Sequence, residues 1–284
     1  MRWLALLGVL SACAHAPGVA SRDDVLWFGG DVHFGERGVR VLDESLVLDG
    51  SLVVNLEGPI AASVGTSSAQ RLINPPSADE FLRSAGVVAA GVENNHSGDE
   101  GDLGRARTRE VLSRTGIAAL GTAKVGPAHL VQVDLTGGVP ADLAARLASL
   151  PHPSVVLFHV VAPPLYLPEL VLEQAVAIAV AARVDAVLSH GSHAVAKVER
   201  VGATVIAWGL GNVVFDCECT RETGGVLVRL QFSGGRVADV EVVPIDAGLD
   251  GVPARAAHDV ALELQLLEGL GSRFAARTPR GARL

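Results

Sequence analysis

Short apolar runs that stop abruptly at His, Asp, Glu or Asn recur along this chain and restrict what it can fold into. Asp24 to Gly30 leads into Asp31-Val32-His33, and Ser51 to Asn55 leads into Leu56-Glu57-Gly58. Val87 to Val92 leads into Glu93-Asn94-Asn95-His96-Ser97-Gly98-Asp99. Ser154 to Phe158 ends at His159, and Asp185 to Leu188 ends at Ser189-His190-Gly191-Ser192-His193. Short apolar runs bounded by turn formers read as buried strands. Polar groups at the end of a buried strand must find partners. A fold that gathers the C-terminal ends of its strands along one edge supplies them, and open α/β sheets place their sites there.

The stretches between these runs read as helices. Ser77 with Glu80 has the form of a capping box, opening a helix to about Ser84. Leu103 to Arg114 sets Leu and Val against Arg and Glu at helical spacing. Ala141 to Leu150, Glu169 to Arg183 and Ala257 to Leu270 are expected helices, and Val41 to Leu48 a short one. After His193, strands are expected at Val195–Arg200, Thr204–Trp208, Gly225–Phe232 and Val237–Pro244 with no helix between them. The Arg-containing C-terminal tail reads as a frayed end. Alternation followed by a strand-rich portion predicts a layered α/β domain with two sheets.

Hydrophobic residues make up 49% of the chain and charged ones 19%, which permits a large core and argues against long disorder. The net charge of −8, without a Lys/Arg cluster, argues against nucleic acid as a partner. Arg2 and the apolar run Trp3 to Leu10 read as a signal peptide over residues 1–12, with a tether at 13–23 and a single domain at 24–284. Leu10-Ser11-Ala12-Cys13 resembles the lipobox of bacterial lipoproteins, which implies lipidation of Cys13 and a membrane anchor. The alternative is an ordinary secretory leader cleaved near Ala14 to Ala16. The lipoprotein reading places the chain in the bacterial cell envelope, lipid-anchored and outside the cytoplasm. Cys217 and Cys219 are read as structural or incidental, with a strained disulfide as the other option.

The strand ends carry more candidate ligands than one ion needs. Asp31 and His33 are two apart on an extended stretch and so share a side. Glu57, Asn95, His159, His190 and His193 leave other strands. Oxygen and imidazole donors suit Mn, Fe or Zn. Two ions ~3.5–4 Å apart would use the set, with Glu57 as the bridge. Taken singly each residue has a plain reading: Asp31 or His33 as a turn cap, Glu57 as a solvated turn residue, His159 as a satisfied core histidine.

Gly30-Asp31, Asn55-Leu56-Glu57, Asn94-Asn95-His96 with Asp99 and Gly101, His159, the His190/His193 pair, and Leu210-Gly211-Asn212 with Phe215-Asp216 resemble the bacterial capsule-synthesis CapA family. That family is linked to poly-γ-glutamate capsules and is related to the calcineurin-like metallophosphoesterases. The resemblance implies an α/β four-layer sandwich of two mixed sheets flanked by helices. It implies two divalent metal ions, one on Asp31, His33 and His193, the other on Asn95, His159 and His190, with Glu57 between them. His96 would face substrate as a general acid oriented by Asp99, while Asn94 and Asn212 would shape the site. A phosphoester or an anionic polymer is the implied substrate, and capsule-synthesis machinery the implied partner. The chain departs from the family where Gly191 replaces a central histidine and where Val160-Val161-Ala162-Pro163 lacks an acidic residue. The functions left open are a metal-dependent phosphoesterase, a non-catalytic capsule-assembly or polymer-handling protein, and a polyglutamate amidase.

Overall fold

A computed structural model describes residues 24–35, 38–62, 71–161, 166–217 and 223–284. The expected leader, tether, Cys13 and Cys219 lie outside these residues. In chain order the elements are β1 (Val25–His33), β2 (Ser51–Leu56), α1 (Ala78–Ser84), β3 (Val87–Gly91), α2 (Gly101–Arg114), β4 (Ala118–Leu120), β5 (Thr122–Val125) and β6 (Ala128–Asp134). There follow α3 (Leu143–Ala148), β7 (Ser154–His159), α4 (Leu170–Ala181), β8 (Ala186–His190), β9 (Val198–Val201), β10 (Thr204–Ala207) and β11 (Asn212–Phe215). The last elements are β12 (Gly224–Ser233), β13 (Arg236–Asp246), β14 (Arg255–Ala256), α5 (Val260–Gly269), β15 (Ala276–Thr278) and β16 (Gly281–Arg283).

Two mixed sheets result. The larger runs β15-β16-β13-β12-β1-β2-β3-β4, with β11 against β1 and β14 against β13. The smaller runs β5-β6-β7-β8-β10-β9. Three apolar layers hold them. Leu26, Phe28 and Val53 of the larger sheet meet Leu130, Leu157 and Leu188 of the smaller one, so the main core lies between the sheets. Trp27, Leu52 and Val54 face outward onto Leu82 of α1 and Leu112 of α2. Val156 and Val187 face the other way, onto Leu147 of α3 and Leu172 and Val176 of α4. Alternate residues of each strand thus feed opposite layers. The architecture is the expected α/β arrangement of two sheets with helices outside them. Among the described residues no helix is long and apolar enough to cross a membrane.

Several local expectations give way to longer-range pairing. Val41 to Leu48 is not a helix: Asp43 N–H donates to the Ala254 carbonyl at 2.8 Å, and Ala254 N–H donates to Val41 at 3.1 Å. Those bonds to a distant segment use groups that a helix would need. Ser77 precedes α1, but its side chain makes no capping bond, because its backbone (φ −87°, ψ 4°) lacks the extended form that aims the hydroxyl at the first turn. The tail is not frayed. β15 and β16 form an antiparallel pair, and β16 adds to β13 through Glu241↔Arg283 and Val242↔Ala282. Cys217 is disulfide-bonded, which corrects its reading as incidental.

Candidate metal centre

Adjacent strands bring the sequence clusters to one edge. Asp31 of β1 is in register with Asn55 of β2 and with Asn212 of β11, and His159 of β7 is in register with His190 of β8. Asp31 N–H donates to the Gly211 carbonyl at 3.0 Å. That approach needs the preceding glycine, since a Cβ on Gly30 would stand 1.9 Å from the same oxygen.

Asp31 and Glu57 are both buried. Asp31 Oδ1 accepts from Asn55 Nδ2 at 2.8 Å, and its Oδ2 accepts from Gly191 N–H at 2.8 Å, with His193 Nδ1 at 3.4 Å. Glu57 Oε1 lies 3.5 Å from Asn55 Nδ2 and 3.8 Å from His159 Nε2. Its Oε2 lies 4.0 Å from His193 Nε2. Among the described residues no Lys or Arg pairs with either carboxyl group. Burial first, then the Asp31 charge, then Asp99, push Glu57 well above the usual carboxylate range.

The imidazoles are arranged to complement this. His33 Nδ1 donates to the Glu57 carbonyl at 3.3 Å, leaving buried Nε2 without a partner. His190 Nε2 donates to the Gly29 carbonyl at 3.2 Å, leaving buried Nδ1 without one. His159 Nε2 lies 2.8 Å from Asn95 Oδ1, and its Nδ1 accepts from Asn55 Nδ2 at 3.4 Å. His193, the most exposed of the four, bonds Asn212 Oδ1 through Nδ1 at 3.0 Å. Burial lowers His33 and His159 to about 4 and also lowers His190. Burial thus disfavours the charged forms of both His159 and Glu57, which stand 3.8 Å apart.

This donor set fits a divalent cation. Asp31, Glu57 and His159 offer ligand atoms that all lie within 4.8 Å of one another, so they can hold an ion. The trio draws Asp31 from one expected ligand set and His159 from the other, with Glu57 common to both. In His33 and His190 a backbone carbonyl fixes one ring nitrogen and the other is left open, as in metal-ligating histidines. Two buried carboxyl groups with which no Lys or Arg pairs among the described residues supply, once ionised, the charge that an ion would neutralise.

His96 stands at the rim, 16% exposed, with Nδ1 2.8 Å from Asp99 Oδ2. The same oxygen accepts Leu72 N–H at 2.7 Å. Asn95 is exposed beside it. Asn94 is buried and donates to the Leu56 carbonyl at 2.9 Å and to Asn55 Oδ1 at 3.3 Å. Sequence reasoning missed two residues here. Asn55 touches Asp31, Glu57 and His159, although it was quoted only as part of Asn55-Leu56-Glu57. Gln132, inside β6, donates to Asn55 at 2.9 Å. An amide between apolar residues of a strand is the available signal for both.

The model of the family described as "Bacterial capsule synthesis protein PGA_cap" matches residues 26–133 and 141–217, well over half of the chain. The matched span contains every strand end described above. No curated protein matches.

Proposed function

The chain belongs to the bacterial capsule synthesis protein family, and from that premise we propose that it is a metal-dependent phosphoesterase acting in capsule synthesis at the cell envelope. The observation that carries this reading is the presence of open imidazole nitrogens on His33 and His190 together with two buried carboxyl groups that, among the described residues, no Lys or Arg pairs with. Asp31, His33 and His193 would hold one ion and Asn95, His159 and His190 a second, with Glu57 shared. Such ions supply Lewis acidity toward phosphoryl oxygens and acidify water.

The chain's own residues do the rest. Asn55 and Gly191 hold the Asp31 carboxylate in one orientation. Phe215, with its ring centroid 4.4 Å from that of His193, walls the site on that side. Asp99, itself fixed by Leu72 N–H, orients His96 through Nδ1. His96 is then placed to give the proton at Nε2 to a departing alkoxide. A lipid on Cys13 would keep this site near the membrane where capsule polymer is made.

Metal analysis of the purified chain, followed by a phosphoester screen with and without Mn²⁺ and Zn²⁺, tests the proposal. The expected result is bound metal and hydrolysis abolished in His96→Ala. A fully metal-loaded chain that cleaves no phosphoester would overturn the phosphoesterase reading and leave the polymer-handling and amidase readings.

A further inference from the structure

Gln132 of β6 belongs to the smaller sheet, yet its buried side chain crosses to the larger one. There it accepts the Glu93 N–H through Oε1 at 2.8 Å and donates through Nε2 to Asn55 Oδ1 at 2.9 Å. Room for it is made at Gly91, where an added Cβ would stand 2.6 Å from Nε2 and 2.9 Å from Cδ.

The directions of these bonds follow from chemistry. A backbone N–H can only donate, so the oxygen of Gln132 faces Glu93 and its nitrogen faces Asn55. Asn55 must then turn its oxygen to Gln132 and its nitrogen to Asp31 Oδ1, 2.8 Å away. The Asn94 amide also donates to that Asn55 oxygen, at 3.3 Å, and enforces the same choice. A free Asn55 could instead turn its oxygen toward Asp31 and set two acceptors against each other.

We propose that Gln132 is a positioning residue: it locks the Asn55 amide as a donor to Asp31, and so fixes the carboxylate that faces the metal centre. The bond from Glu93 N–H to Oε1 holds the Gln132 amide in the orientation that makes this possible. The inference rests on the metal reading above and adds to it a control point in the opposite sheet.

Mn²⁺ binding to the full chain, measured by calorimetry in a double-mutant cycle, tests it. Gln132→Leu is expected to weaken Mn²⁺ binding by about ten- to a hundredfold, the usual cost of losing an outer partner of a ligand. Asn55→Ala should do the same, and the double variant should bind no worse than Asn55→Ala alone. Losses that multiply in the double variant, or wild-type affinity in Gln132→Leu, would overturn the proposal. Gln132→Met guards against simple misfolding, because it keeps the length and apolar volume of the side chain while removing the donor. It should lose affinity as Gln132→Leu does, and wild-type binding by this variant also counts against the proposal.

A metal-free readout separates the two inferences. The Asn55 side-chain amide protons, assigned by their absence in Asn55→Ala, should exchange with solvent at least about tenfold faster in Gln132→Met than in the wild type. Equal exchange rates overturn the positioning role whatever the metal result. A wild type that takes up no Mn²⁺ overturns the metal reading, and the exchange rates then decide the role of Gln132 by themselves.

Discussion

His96 Nδ1 lies 2.8 Å from Asp99 Oδ2, and the same oxygen accepts Leu72 N–H at 2.7 Å. One carboxylate oxygen therefore sets both a loop and an imidazole. Asp99→Asn can keep one oxygen that accepts from both Leu72 N–H and His96 Nδ1 but removes the negative charge beside the imidazole. Phosphoester turnover should fall by about a hundredfold, the lower end of what a positioned general acid contributes. Metal content should stay at the wild-type level, because Asp99 is outside the proposed ligand set. Loss of metal in a folded Asp99→Asn protein would show that the carboxylate serves the ions instead.

The metal-free protein should gain stability as pH rises from about 4 to 6.5. His33 and His159 are lowered to about 4, and His190 is lowered too, each chiefly by burial. Their contributions are complete above the ordinary histidine value of 6.5 and are lost as pH falls toward 4, because the unfolded chain then binds the protons. Glu57 acts in the opposite sense: its value is raised, so stability falls as pH climbs above 4.5 until the folded-state value is passed. Between pH 4.5 and 6.5 the three imidazoles outweigh the one carboxyl, at roughly 1.4 kcal/mol per pH unit for each net proton. Denaturant unfolding across pH 4–7 should show the rise, and Glu57→Gln should steepen it by removing the opposing contribution. A flat profile in wild-type protein stripped of metal would contradict this account.

Metal should reverse the behaviour of Glu57. Its proton must leave when the carboxylate becomes a ligand, so uptake of Mn²⁺ releases a proton and strengthens as pH rises. Calorimetry in buffers of different ionisation enthalpy reads that proton directly. At a free Mn²⁺ concentration a hundred times the Kd, the folded protein should gain about 2.7 kcal/mol. Glu57→Gln should bind more weakly and release no proton on binding. Proton release as large in Glu57→Gln as in the wild type would assign it to another group.

The strand ends were legible in the sequence because each is a short apolar run closed by a polar cluster, and burial and ligand chemistry coincide there. Asp31, Glu57 and His159 could be picked out on that ground alone. Asn55 and Gln132 were not, since each is a single amide inside a strand whose neighbours are apolar. Their value lies in a contact between sheets that sequence spacing does not encode. The same limit explains the segments misread at the level of the fold. Val41 to Leu48 is held by bonds to Ala254, and Ala276 to Arg283 by pairing within the tail and with β13. Both depend on partners far away in the chain, where local propensity carries no information.

Gly191 offers the last test, because it stands where the resembled family has a histidine. Its φ is +90°, a conformation that L side chains rarely adopt. A Cβ there would lie 2.5 Å from the Val160 carbonyl and 2.7 Å from Cε1 of His159. Gly191→Ala should therefore combine backbone strain with displacement of a proposed ligand. Gly116→Ala is the control: it has φ +78° but nothing within 4 Å of the added Cβ. Gly116→Ala should cost about 1–2 kcal/mol from left-handed strain alone. Gly191→Ala should cost about 1–3 kcal/mol more from overpacking. It should also weaken Mn²⁺ binding, which Gly116→Ala leaves unchanged. Equal stability losses in the two variants, with Mn²⁺ affinity intact in both, would mean that the loop yields without moving His159. The tight contact at Gly191 would then not be what holds that imidazole at the site.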